Sequence, residues 1–265
     1  MELRHDSGGT ARVSLDGAQV TSWRTSEGRE RLFLSSASRF EAGVAIRGGI
    51  PVIFPQFADR GPLPKHGFAR LTTWRFLGAD GPAAARFELE DSPATRAIWP
   101  ARFRLELGVA IGARHLEVEL AVTARSDLEF TAALHTYLAV ADVERVTVEG
   151  LQDARFESRV EGVNDGRQQD AELRVRGELD RVYLEVPGPV VVRDAGRGDR
   201  VVVESDGFPD LVLWNPGSER GRALADLGPG EFRRMLCVEA AVVGSPVRLA
   251  AGSAWRGRQI LHADP

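Results

Sequence analysis

The chain of 265 residues contains a single cysteine, Cys237, so an intrachain disulfide framework and a multi-cysteine zinc site are both excluded. Cytosol is then the expected compartment. Long apolar runs are also missing: Leu138 to Ala141 ends at Asp142, far short of the ~20 residues a spanning helix needs. The first residues carry Glu2, Arg4 and Asp6 with no apolar segment behind them, which does not read as a secretory signal. A soluble protein with no membrane association is expected. Neither sign of charge dominates, with 34 Lys and Arg against 38 Asp and Glu for a net charge of −4, and the two signs are mixed along the chain. That leaves no cationic stripe for a nucleic-acid backbone, so any anion it binds should be small. The five histidines (His5, His66, His115, His135, His262) form no H-x-H or H-E-x-x-H pair, and no metal or other cofactor is expected. Nucleophile elbow, P-loop and dinucleotide-binding signatures are absent as well.

What the chain has in quantity is 28 Gly and 14 Pro, a turn-rich count that disfavours a helical bundle. Period-2 patterning agrees. Phe103, Leu105, Leu107, Val109 and Ile111 alternate with more polar neighbours, and after a short Gly112-containing loop Leu116, Val118, Leu120 and Val122 do the same, predicting a hairpin. Pro189 to Ser205 predicts a second hairpin around Ala195 to Asp199. Shorter β-rich segments recur about every dozen residues, at Val146 to Leu151, Leu173 to Arg176, Arg181 to Val186, Leu211 to Trp214 and Phe232 to Ala241. The helical signal is confined to Ser92 to Ile98, opened by a Ser cap and Pro93 and stopped by Pro100. No repeat and no Ser/Gly-rich linker interrupts the chain, so residues 1–265 are expected to be one all-β domain, a sandwich or barrel with few short helices.

Three places could carry chemistry. Ile46 to Trp74 gathers Arg47, Lys65, His66 and Arg70 on a segment punctuated by Gly48, Gly49, Pro51, Pro55, Gly61, Pro62, Pro64 and Gly67. Such a segment is either a pinned binding loop or a surface loop with solvated charges. His135 sits between apolar residues in LHTYL, as a catalyst or as a hydrogen-bonded structural histidine. Glu239 is the lone acid of MLCVEAAVV; it faces either solvent or a cavity, and a cavity would raise its pKa toward that of a general base. Period 2 places Cys237 on the same face as Glu239, where a small buried thiol is the simpler reading than a nucleophile.

Together IRGGIPVIFPQF, LPKHGFARLTTW, LHTYLAV, LDRVYLEV, LVLWNPG and MLCVEAAVV, in this order from Arg47 to Glu239, resemble the aldose 1-epimerase superfamily and, within it, the hexose-6-phosphate branch. The resemblance implies a large antiparallel β-sandwich of the galactose-mutarotase type with a sugar on a concave sheet face. It implies His135 as catalytic acid and Glu239 as catalytic base, with Arg47 and Arg70 as the pair contacting substrate, Asp180 as acceptor of a sugar hydroxyl, and His66 near the sugar ring. One position departs from the family: Lys65 stands where a glutamine is common, removing an acceptor and adding a charge that a phosphate could use. The activity implied is exchange of the α and β anomers of a hexose 6-phosphate by a monomer needing no cofactor. A non-catalytic carbohydrate-binding sandwich and a mutarotase of unphosphorylated aldoses stand as alternatives.

Overall fold

Strands with one apolar face must bury it, and this chain does so by laying two large antiparallel sheets against each other. The computed structural model describes residues 1–264. Nine strands make one sheet, in the order Glu172–Arg174, Val146–Glu149, Val190–Asp194, Asp199–Asp206, Ala254–Asp264, His115–Ala124, Phe103–Ile111, Ala84–Glu90 and Arg75–Ala79. The eight-stranded sheet runs Gly166–Arg167, Arg155–Ser158, Leu179–Leu184, Asp210–Asn215, Met235–Leu249, Leu128–Leu134 and Val52–Ile53, with Tyr137–Ala139 also paired to Met235–Leu249. A three-stranded sheet of Glu2–Arg4, Thr10–Val13 and Val20–Arg24 adds Leu3, Val13, Val20 and Trp23 to the core the two large sheets share.

Both predicted hairpins form. In the first, Phe103 pairs with Ala124 and Ile111 with Leu116, and the five alternating apolar residues of Phe103–Ile111 are all buried. The predicted helix runs Pro93–Ile98 behind a reciprocal cap: the Thr95 amide donates to Ser92 Oγ and the Ser92 amide to Thr95 Oγ1. Three things differ from the sequence reading. The strand predicted from Phe232 begins at Met235, because Glu231–Arg234 closes a helical turn first. A second helix, Gly217–Ala223, has no apolar stripe to announce it. Ala254–Asp264 is an 11-residue strand whose inward positions include Gly257 and Gln259, so it lacks the alternation that reveals its neighbours. No helix among the described residues is long and apolar enough to cross a membrane.

The element that positions the site is Met235–Leu249, buried on both faces over its first nine residues. Leu236, Val238, Ala240 and Val242 enter the shared core, while Cys237, Ala241 and Val243 pack on the opposite side of the sheet with Glu239 between them. The same alternation sends Leu211 and Leu213 inward and Val212 and Trp214 outward. A run that looks uniformly apolar in sequence is thus two faces, and only the outer one meets the cleft.

Candidate active site

Strand register assembles the centre. Leu134 pairs with Ala240 and Tyr137 with Cys237, so His135 stands directly across from Glu239. On the other flank Val212 pairs with Glu239, Trp214 with Cys237 and Asp180 with Trp214. Two adjacent cross-strand rows result, His135–Glu239–Val212 and Tyr137–Cys237–Trp214–Asp180, both on the outer face. A cleft of about 370 Å³ opens over them, and Arg47, Lys65, His66, Arg70, His135, Asp180 and Glu239 all line it. Every site residue predicted from the sequence therefore borders one cavity.

His135 and Glu239 are 6 % and 1 % exposed, with Nδ1 of the imidazole 3.3 Å from Glu239 Oε1. Burial pushes the Glu239 carboxyl well up, helped by the negative Asp180 and opposed by Arg70. Burial likewise pushes His135 well down, with His66, Arg70 and Arg47 adding to it. Both directions favour the arrangement in which the pair carries one proton, on the carboxyl beside a neutral ring. A catalytic acid at His135 has to carry its proton as an imidazolium, and the desolvation of a ring inside an apolar floor disfavours that charge in the resting protein. The His135 ring stacks on Tyr137 at 4.7 Å and 8°, which holds its plane.

The Ile46 to Trp74 segment reaches the cleft from one side. A Cβ at Gly49 would lie 2.1 Å from the Val20 carbonyl oxygen, and one at Gly67 2.2 Å from that of Phe54, so both positions need a bare backbone for the close approach. His66, with φ of 67°, is turned inward by that bend and accepts the Ala58 amide at Nδ1, 3.2 Å away. Its ring proton is thereby placed on Nε2 as a donor. Arg70 donates at 3.4 Å to the Lys65 carbonyl oxygen and has no carboxylate partner among the described residues, while Lys65 is exposed at the mouth. Arg47, which also lines the cleft, has partners that the sequence did not suggest. Its guanidinium already donates to both oxygens of Asp226, at 2.9 and 3.1 Å, and to the Tyr137 hydroxyl at 3.0 Å, above the Trp214 ring.

Arg220 and Asp226, which the sequence reading missed, lie in the chain between Asp210–Asn215 and Met235–Leu249; Arg220 lines the cleft and Asp226 acts on it through Arg47. Arg220 pairs with Glu178 at 2.8 Å and lies 3.8 Å from Asp180. Arg159, held by Asp59, closes the same end. Nothing in their local sequence marks these residues, whose place depends on long-range register. Among the described residues nine buried side-chain polar atoms lack a partner, and four belong to this cleft: Arg47 Nε, Arg70 Nε, His135 Nδ1 and Glu239 Oε2. Natural interiors pair nearly all such atoms, so this concentration marks a place prepared for a polar ligand.

The site also sets an acid limit on stability. Burial, then the charges of Arg70, Lys65 and Arg47, push His66 down to about 2. An unfolded histidine takes up its proton below ~6.5 while folded His66 does not, so its contribution is intact above that pH and is lost progressively as pH falls, by up to ~2 kcal/mol at pH 5. The His135–Glu239 pair works the other way between pH 7 and ~5.5: folded it keeps its one proton throughout, whereas the unfolded pair takes one up only as its histidine titrates near ~6.5, so the pair's stabilisation grows as pH falls and partly offsets the loss at His66. His66→Asn, which tolerates the left-handed backbone, is expected to flatten the fall in melting temperature between pH 7 and pH 5. An unchanged slope would place the acid sensitivity elsewhere.

The aldose 1-epimerase family matches residues 1–262. A "Putative glucose-6-phosphate 1-epimerase" of Cenchrus ciliaris is 37% identical over 271 residues, covering 96% of this chain and 82% of that one. A protein of the same name from Escherichia coli strain K12 is 35% identical over 237 residues, covering 87% and 79%. The crystal structure of a "putative mutarotase" from Salmonella typhimurium superposes with a TM-score of 0.91 at 31% identity, covering 98% of this chain and 88% of the other. With the match running nearly end to end and through both rows of the cleft, this chain is a member of the aldose 1-epimerase family.

Proposed function

We propose that the protein interconverts the α and β anomers of a hexose 6-phosphate, with glucose 6-phosphate the substrate suggested by the names of its relatives. The observation that carries this reading is the buried pair His135 and Glu239, 3.3 Å apart, beside two arginines whose Nε atoms lack partners. Anomer exchange removes the proton from the C1 hydroxyl as the ring oxygen O5 gains one, breaking the C1–O5 bond. Rotation about C1–C2 and reversal of the same steps on the other face give the second anomer. Glu239 as carboxylate takes the C1 hydroxyl proton and His135 as imidazolium gives one to O5. Ring opening then leaves a protonated Glu239 and a neutral His135. That is the arrangement burial favours in the resting protein, and the two states differ only in where one proton sits across 3.3 Å. His66 Nε2 is available to a sugar oxygen, and Asp180 accepts from a hydroxyl at the other end.

Two arginines fit a phosphate, whose oxygens match guanidinium forks. A site for unphosphorylated aldoses is favoured by one feature, the neutralisation of Arg47 by Asp226. Arg70, without a carboxylate partner, separates the readings. Arg70→Ala is expected to lower kcat/KM on glucose 6-phosphate by ~10–150-fold, the loss of one charge-assisted hydrogen bond of ~1.5–3 kcal/mol, while leaving glucose and galactose within about threefold. Anomer exchange followed by NMR on the three sugars in one buffer decides it. Equal losses on all three would remove the phosphate from the proposal. Absence of acceleration above buffer would instead leave a non-catalytic sugar-binding sandwich.

A further inference from the structure

The outer face of the Met235–Leu249 strand brings three metal-ligating side chains together. Cys237 and Glu239 lie two residues apart on one strand, His135 stands opposite Glu239, and one ligand atom from each lies within 4.8 Å of the other two. All three are buried, and His135 Nδ1 and Glu239 Oε2 have no hydrogen-bond partner. We infer that this triangle is an inhibitory site for a zinc-class divalent ion, which would occupy the catalytic pair and stop anomer exchange. The inference rests on the proposed roles of His135 and Glu239 for its inhibitory consequence, but not for binding.

The chemistry of the donors suits a borderline-soft ion. Zinc takes thiolate, imidazole and carboxylate ligands at ~2.0–2.3 Å, so tetrahedral ligands sit ~3.3–3.8 Å apart, and the triangle, now within 4.8 Å, has to close by roughly 1 Å at its widest edge. Hard ions such as magnesium prefer all-oxygen octahedra and are poorly served by it. Binding displaces the protons held by the thiol and by the pair, leaving two negative ligands and one neutral one under a doubly charged ion. Arg70 and Arg47 face this position with like charge, Arg47 being neutralised by Asp226, and Asp180 faces it with opposite charge from the Trp214 side. The fourth ligand position opens to the cleft, where His135 and Glu239 form part of the lining. Cys237 itself does not contribute to the reaction. It packs with Tyr137, Phe33 and Met235 beneath the cleft, which makes it the separable member of the three.

Cobalt(II) is the probe, since thiolate ligation gives a charge-transfer band in the near ultraviolet and tetrahedral geometry intense visible bands. The wild-type chain is expected to bind one cobalt with the thiolate band, to lose the band when zinc is added, and to lose anomer exchange in proportion to zinc occupancy, with recovery on EDTA. Cys237→Ala and Cys237→Ser are both to be made, because one leaves a small cavity and the other buries a hydroxyl. Either folded variant should lack the band and bind zinc more than about tenfold more weakly, beyond the lower end of what even an outer-shell change costs. Metal-free anomer exchange should persist. Cobalt bound without a thiolate band would place it away from Cys237, for example at the exposed His115 and half-buried His262, whose rings lie 6.2 Å apart, and would overturn the inference. Zinc inhibition undiminished in the cysteine variants would overturn it equally. If the wild-type chain proves to catalyse no anomer exchange, the cobalt band still reports the site, so failure of the proposed function and failure of this inference are distinguishable.

Discussion

Replacing Glu239 with glutamine should slow anomer exchange of glucose 6-phosphate by ~10²–10⁴-fold, the usual contribution of a positioned general base. The amide keeps the shape of the carboxyl but cannot take the C1 hydroxyl proton. Stability should not suffer. Glu239 is 1 % exposed and its Oε2 has no partner, so its ionised form is disfavoured by burial and a neutral amide removes that cost. NMR exchange rates and a melting curve, taken on the same preparation, test both halves. Activity at the wild-type level in a folded Glu239→Gln would end the acid/base assignment.

The companion expectation concerns His135. Alone, His135→Asn should also lower the rate by ~10²–10⁴-fold, since the asparagine can donate a hydrogen bond to O5 but cannot transfer a proton. The double variant should be hardly slower than either single one. Two groups that hold one proton between them act as a unit, and the second loss removes nothing the first had left working. Additive losses, with the double variant near the product of the two, would mean that the groups act independently and the shared-proton picture fails. The same picture shapes the pH profile. Activity needs one proton on the pair, so it should fall at low pH when a second is added and at high pH when the first is lost. Burial pushes His135 well down and Glu239 well up, which moves the two limbs apart and predicts a broad plateau through neutrality. The limbs belong to the pair and not to either residue. A narrow optimum centred near an ordinary histidine value would contradict it.

The difference between Arg47 and Arg70 shows how far residue identity can carry such an argument. Both arise in one glycine- and proline-rich segment and both line the cleft. Only the folded chain reveals that Asp226, 179 residues on, already engages Arg47 through two hydrogen bonds. Arg47→Ala therefore removes a possible phosphate ligand and strands a carboxylate in one step. Arg70→Ala has no such second effect, which is why it is the cleaner test of phosphate recognition.

Much of the architecture could be read from period and punctuation. The hairpin of Phe103–Ile111 and His115–Ala124 follows from strict alternation, because one face of each strand must leave water, and the capped turn at Pro93–Ile98 follows from local hydrogen bonding. These are short-range causes, and they act the same way in any context. Ala254–Asp264 was hidden because its inward positions are small or polar. Gly217–Ala223 was hidden because the only residues it buries are Gly217 and Gly221, which leave no apolar stripe.

For the site, the sequence by itself determined which residues are chemically capable: a lone acid in an apolar run, a histidine in another, and cations on a rigid loop. It also determined, through period 2, that Cys237 and Glu239 share a face. Tertiary structure alone decided what those residues are to each other. Pairing of Leu134 with Ala240 and of Tyr137 with Cys237 sets His135 across from Glu239 over a separation of 104 positions in the chain, and burial between the rows decides their protonation. Register and desolvation are properties of strands brought together from afar, and no local pattern of residues encodes them.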